Sequence, residues 1–245
     1  MNDTERLGQW LRDSDNIVFF GGAGVSTESN IPDFRSADGL YRAEKNYGYP
    51  PERMLSHSFF EAHPADFYTY YLHELVYKDA QPNPAHLALA KLEAIGKLRA
   101  VITQNIDGLH QLAGSHNVLE LHGSVQRNYC MNCGLRYSVD FMLEQGNPIP
   151  HCLDCGGIVR PDVVLYEEAL DPAVLKAAQK SIATADLLLV GGTSLVVYPA
   201  AGLLHFFQGR RLVLINKSTT DYDQKADLVI HAPIGETLRQ AINFI

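Results

Sequence analysis

Short apolar runs that each end in small or polar residues, separated by helical stretches, constrain this chain more than any other feature. Ile17-Val18-Phe19-Phe20 runs into Gly21-Gly22-Ala23-Gly24, and residues 100–103 run into Gln104-Asn105. Residues 186–190 end in Gly191-Gly192-Thr193-Ser194, and 211–215 end in Asn216. Further runs lie at 118–121, 162–166 and 227–232. Helical signals occupy the N-terminus (Leu7, Trp10 and Leu11 on one face), the aromatic-rich stretch 58–77, residues 85–96, and PAVLKAAQKSIATA before the run at 186. Apolar strands alternating with helices predict a parallel sheet covered on both faces. The expected fold class is α/β, a doubly wound, Rossmann-like sheet whose ligand lies beyond the carboxyl ends of its strands.

At 245 residues, 46% hydrophobic and 20% charged, the chain can bury a sizeable core. A formal charge of -8 argues against nucleic acid as a direct partner. Neither a charged-then-apolar leader nor an apolar stretch of about 18 residues is visible, so a cytoplasmic protein without a membrane partner is expected.

Four cysteines form two CxxC pairs, Cys130/Cys133 and Cys152/Cys155, with 18 residues between them. Tetrahedral zinc takes four thiolates at about 2.3 Å, and two such knuckles supply them. Gly134 and Gly156 follow the second cysteine of each pair, where the backbone must turn around the metal. Two disulfides fit poorly with a chain lacking a leader, and a redox CxxC does not explain the repetition. One structural zinc per chain is expected, within a smaller module inserted in the sheet. Four sulfurs leave no open position for water or substrate. His151 beside Cys152 is then not needed as a ligand.

The glycine loop by itself is weak evidence. Gly22-Ala23-Gly24 permits close backbone approach to a pyrophosphate, but Thr27 occupies the third glycine position of the dehydrogenase fingerprint. Pro32 also disfavours helix soon afterwards. With the other polar strand ends it points to a dinucleotide, though not to hydride transfer.

GAGVSTESNIPDFR, TQNIDGLH, LHGS, the paired CxxC and GGTSLVVYPAA together resemble the sirtuins, the NAD-dependent protein lysine deacylases, over residues 15–235. The resemblance implies removal of acetyl groups from protein lysines, yielding deacetylated protein, nicotinamide and 2′-O-acetyl-ADP-ribose. NAD is the implied cosubstrate. Ala23 and Gly24 would meet its phosphates, Arg35 a phosphate, and Phe34 the glycosidic bond. Asp107 and the Ile106 backbone would hold the nicotinamide carboxamide, with Gln104 and Asn105 on the ribose and an ordered water. Thr27, Thr193, Ser194, Asn216 and Ile234 complete the implied cofactor set. His122 would be the general base that takes a proton from the ribose 2′-hydroxyl, with Asn105 and Asp107 as its catalytic companions.

Ordinary alternatives stand beside these roles: a core aromatic for Phe34, a surface charge for Arg35, a helix cap for Asp107 and a buried, hydrogen-bonded ring for His122. An acetylated peptide is implied to bind as an added strand between 163–166 and 195–198, with Val164, Tyr166 and Val197 lining the acyl-lysine tunnel. These three could equally be plain sheet and loop hydrophobes. Tyr68 is present, but Tyr71 stands where acid-selective members carry Arg, so deacetylation is expected over desuccinylation. Gly22, Asn30, Ser36 and Glu167 depart from the common pattern. Asn30 tolerates a left-handed turn, and Glu167 puts an extra carboxylate at the tunnel mouth.

The implied layout is a cofactor domain from 1–35, 80–125 and 160–245, a helical insertion at 36–79 and a zinc module at 126–159. Rival readings are an NAD glycohydrolase or ADP-ribosyltransferase, and a non-catalytic NAD or ADP-ribose sensor.

Overall fold

Successive residues of a strand face opposite sides of a sheet, and the strand Ile17–Gly21 (β1) is buried at all five positions. Ile17 and Phe19 join a core with Leu7, Leu11, Leu89, Leu92 and Leu238. Val18 and Phe20 join another with Ala178, Ile182, Leu203 and Leu204. The first core lies under the helices Asp3–Asp13, Pro84–Ala94 and Ile234–Ala241. The second lies under the helix Pro172–Thr184 and the 3-10 segment Ala200–Phe206. β1 is apolar throughout because helices cover both faces of the sheet.

The computed structural model describes residues 1–33, 45–145 and 149–245. Its remaining strands are β2 (Leu98–Thr103), β3 (Val118–Glu120), β4 (Gly123–Cys130), β5 (Arg136–Tyr137), β6 (Val159–Val163), β7 (Leu187–Gly191), β8 (Arg211–Ile215) and β9 (Leu228–Ile230). Five of them join β1 in a parallel sheet of order β3-β2-β1-β7-β8-β9, and β5-β4-β6 form a small antiparallel one. The chain direction across the large sheet reverses between β1 and β7, the switch point where such folds bind ligands. Register levels the strand ends there, with Gly21 beside Thr103 and Gly191, and Gly191 beside Ile215.

One expected strand lies elsewhere. The run at 162–166 does not join the parallel sheet; the strand covers Val159–Val163 and pairs antiparallel with β4. Its Pro161 and Asp162 suit a small two-sided sheet better than a buried parallel one. β4 and β6 thus run across positions 125/126 and 159/160. The stretch at 58–77 is helical at His57–Ala62 and Pro64–Glu74, and its rings build a third core. Phe59, Phe60, Phe67, Tyr68, Tyr70 and Tyr71 pack there with Met142, Val159 and Val163, so these helices and the small sheet share one interior.

Asn83 ties the helix Pro84–Ala94 to the loop after β1. Its Oδ1 accepts from the Ala85 amide at 2.8 Å, while its Nδ2 donates to Val25 O at 2.7 Å and Ser29 Oγ at 3.0 Å. One turn on, His86 and His110 lie with ring centroids 4.7 Å apart, both fully buried. Burial pushes His86 from 6.5 down to about 4 and His110 to about 3. Folding therefore favours the neutral rings, whereas the unfolded chain protonates them near pH 6.5. Their contribution is complete above about pH 6.5 and falls as the pH drops toward 4, by on the order of 3 kcal/mol for His86. Guanidinium unfolding at pH 7 and at pH 4.5 should show the loss, and His110→Phe should flatten it; equal midpoints at the two pH values would contradict this.

Candidate active site

The loop after β1 turns immediately instead of entering a helix. Ala23–Val25 and Thr27–Ser29 are single 3-10 turns, and Asn30 closes them in the left-handed region at φ 63°. Asparagine thus adopts the positive φ its type tolerates. Gly24 donates its amide to Gly192 O at 2.8 Å, and a Cβ on Gly24 would lie 2.8 Å from Gly192 Cα. Thr27 Oγ1 donates to Gly24 O at 3.0 Å.

Behind this loop, Gln104 Nε2 donates to Thr193 Oγ1 at 3.1 Å, and the Thr193 amide donates to Asn216 Oδ1 at 3.0 Å. Asn216 Nδ2 is buried without a hydrogen-bond partner. A donor left so at a strand end costs free energy unless an acceptor such as a ribose hydroxyl meets it, which fits a nucleotide. Ile234 is buried against Gly191, while Ser194 is exposed on the next loop.

Ser26 joins the loop after β1 to the loop after β2. Its hydroxyl donates to Asp107 Oδ2 at 2.7 Å and accepts from Asn105 Nδ2 at 3.0 Å. Asp107 Oδ1 accepts from the Leu109 amide at 2.9 Å, so the carboxylate ties to the first turn of the short helix Leu109–Leu112, whose N-cap is Gly108, while lining the cleft. Burial raises the Asp107 pKa, and the hydrogen bonds from Leu109, Ser26 and Asn105 oppose the rise. His122 Nδ1 lies 2.9 Å from Gln104 O. A carbonyl only accepts, so Nδ1 carries the proton and the basic lone pair of the neutral ring belongs to Nε2.

Ala23, Gln104, Asn105, Ile106, Asp107 and His122 converge on one cleft of about 230 Å³. Val164, Tyr166 and Val197 line the same cleft. The chain after β6 is held extended there. The Val164 amide donates to His122 O at 3.0 Å, Leu165 to Glu168 Oε2 at 2.9 Å and Tyr166 to Leu55 O at 2.9 Å.

Tyr68 and Tyr71 do not line this cleft. Both are core residues, Tyr68 donating to Val159 O at 2.7 Å, and the same helical region reaches the cleft through Glu74, Leu75 and Tyr77. No Lys or Arg is among the described residues lining the cleft, whereas Glu74, Glu167 and Glu168 are. Ser26 and Leu55 went unnoticed in sequence. Ser26 lies within GAGVSTESNIPDFR and was legible there; Leu55 takes part through its backbone carbonyl alone, which leaves no mark in sequence. Phe34, Arg35 and Ser36 lie outside the described residues.

The cysteine sulfurs lie within 4.8 Å of one another, with Cys130–Cys155 at 3.5 Å and Cys133–Cys152 at 3.6 Å. Tetrahedral zinc with Zn–S of about 2.3 Å needs sulfurs about 3.8 Å apart. Gly134 and Gly156 turn each knuckle at φ 74° and 70°. The Asn132 amide and Tyr137 hydroxyl donate to Cys130 Sγ and Cys152 Sγ at 3.4 and 3.1 Å, as suits charged thiolates. His151 Nδ1 instead meets Gly156 O at 3.0 Å. The four thiolates fit one closed structural zinc.

A doubly wound sheet with a cleft at the loops of its switch point and a four-cysteine module alongside defines a nucleotide-binding protein with a structural zinc. Residues 22–199 match the model of the Sir2 family. An NAD-dependent protein deacetylase of Clostridium acetobutylicum is 57% identical over 242 residues, 99% of each chain. A solved Sir2 with a p53 peptide and NAD+ is 38% identical with a TM-score of 0.86, covering 99% of this chain and 98% of that one. Another, with a deacetylated p53 peptide and 3′-O-acetyl ADP-ribose, is 37% identical with a TM-score of 0.89, covering 99% and 98%. The chain belongs to the Sir2 family.

Metal analysis of the purified protein should find one zinc per chain. Cys152→Ser should lose it together with several degrees of thermal stability, and a metal-free wild type of equal stability would refute the assignment.

Proposed function

We propose that this chain is an NAD-dependent protein deacetylase that releases lysine, nicotinamide and 2′-O-acetyl-ADP-ribose. The observation that carries the reading is the meeting of His122, Asn105 and Asp107 in one cleft that Val164, Tyr166 and Val197 also line. The identity of 57% with a curated deacetylase supports it.

NAD supplies a sugar carbon, C1′, from which nicotinamide can leave. The protein's part is orientation, exclusion of water and one base. Asp107 and the Ile106 backbone receive the carboxamide, and Ser26 steadies the carboxylate. Gln104 and Asn105 hold the ribose. Ala23, Gly24, Thr27 and Arg35 meet the phosphates, and Phe34 shields C1′. Thr193, Ser194, Asn216 and Ile234 receive the adenosine half. The acetyl oxygen of the substrate lysine displaces nicotinamide from C1′. His122 Nε2 then takes the proton of the 2′-hydroxyl, which attacks the acetyl carbon. Water adds to that carbon, and its bonds to the lysine nitrogen and to the C1′ oxygen break, freeing the amine and leaving the acetyl group on the 2′-oxygen.

The peptide lies as an added strand across the cleft, with Val164, Tyr166 and Val197 around the acyl-lysine stem. The amides of Val164, Leu165 and Tyr166 are already engaged within the chain, so the peptide pairs through neighbouring carbonyls and the 195–198 loop. We assign residues 1–35, 80–125 and 160–245 to the cofactor domain, 36–79 to a cofactor-loop insertion and 126–159 to the zinc module. No helix among the described residues is long and apolar enough to cross a membrane; we propose a cytoplasmic enzyme.

Mass spectrometry of a reaction with NAD and an acetyl-lysine peptide should show deacetylated peptide, nicotinamide and O-acetyl-ADP-ribose in equal amounts. His122→Ala should slow all three by about 10²–10⁴-fold. Free ADP-ribose without peptide turnover would point instead to an NAD hydrolase. Succinyl-lysine peptides should react at least about tenfold more slowly than acetyl ones, because an acidic acyl group meets carboxylates rather than a cation; equal rates would overturn that selectivity.

A further inference from the structure

Two cavities share one wall. Val163, Val164, Glu167 and Glu168 line the active-site cleft and also a second depression of about 510 Å³ beside it. That depression is rich in carboxylates, and most of them are engaged. Glu168 pairs with Arg160 at 2.6 Å and meets His57 Nδ1 at 2.8 Å. Asp162 pairs with Arg127 at 2.8 Å, and Asp171 accepts from the Ala173 amide at 2.7 Å.

Glu167 differs. Its carboxylate accepts from the Ser58 amide at 2.9 Å and the Ser58 hydroxyl at 3.0 Å, both neutral donors. No cation among the described residues pairs with it. Its backbone stands at φ 75°, a conformation that is unfavourable for any residue with a Cβ. The two bonds to Ser58 therefore hold an exposed charge at the common rim instead of letting it sweep through solvent. Beside it, Tyr166 and Tyr198 are 36% and 67% exposed, offering rings along which a long aliphatic stem can lie.

We propose that Glu167 is a specificity-determining residue that selects protein substrates carrying Lys or Arg within two residues of the acetyl-lysine. The proposal rests on the deacetylase reading above. Side chains of an extended peptide alternate between faces, so a peptide with its acetyl-lysine in the cleft sets a near neighbour over this rim. A fixed carboxylate there attracts a cationic neighbour and repels an acidic one, through association rate and salt dependence above all.

The test is kcat/KM for acetyl-lysine peptides with Lys, Ala or Glu placed singly at each position from two before to two after, at low and high salt. The wild type should favour Lys over Glu about tenfold at one or two adjacent positions, falling with salt. Glu167→Gln, which can still accept from Ser58, should reduce that ratio to about threefold. Glu167→Gly, which relieves the backbone, should do the same, so that a loss through misfolding of one variant is recognisable. A ratio unchanged in both folded variants overturns the proposal while leaving deacetylation intact. A preference spread evenly over all four positions also overturns it, assigning selection to the overall charge of -8. If no peptide turns over while NAD is consumed, the deacetylase reading falls and takes this proposal with it.

Discussion

The amide of Gly24 meets the carbonyl of Gly192 at 2.8 Å, and this backbone contact between two strand-end loops is what the site depends on. No side chain fits at Gly24, since its Cβ would touch Gly192 Cα. The contact holds the loop after β1 down on β7, which sets Ala23 and Ser26 over the cleft. Ser26 can then hold Asn105 and Asp107 from β2's loop. Three segments far apart in sequence thereby act as one wall.

A second dependence runs through the small sheet. β4 begins just after His122 and β6 ends just before Val164, so one antiparallel ladder carries both. The Val164 amide on His122 O and the Tyr166 amide on Leu55 O continue that ladder toward the helices around Phe59 and Phe67. Zinc is therefore remote from the chemistry yet mechanically tied to it. Its knuckles anchor the far ends of β4 and β6, and their near ends carry the proposed base and the proposed acyl-lysine contact Val164.

Much of this was legible in the residues. Parallel strands covered on both faces are apolar along their length, and β1 and β7, buried at all five positions, betray themselves so. The metal module was legible because four thiolates in two tight knuckles have few other uses. The run at 162–166 misled because apolar content alone does not say which sheet a strand joins; Pro161 and Asp162 carried the warning. Tyr68 and Tyr71 misled for a related reason. The comparison with acid-selective members set them at an acyl-selecting position, but packing buries both in the core, and Glu74 and Leu75 reach the cleft instead.

The sequence by itself determined the element types, the chemistry of the loops and the metal ligands, because these follow from side-chain periodicity and from short-range spacing. Only the tertiary structure decided which of those loops meet. The order β3-β2-β1-β7-β8-β9 brings Gly21, Gln104, Gly191 and Asn216 to one edge, and no local pattern encodes that order. It also decided that His122 presents Nε2, because the carbonyl that fixes its tautomer comes from Gln104, 18 positions away. Such contacts depend on where backbones pass, and backbone atoms are the same in every residue.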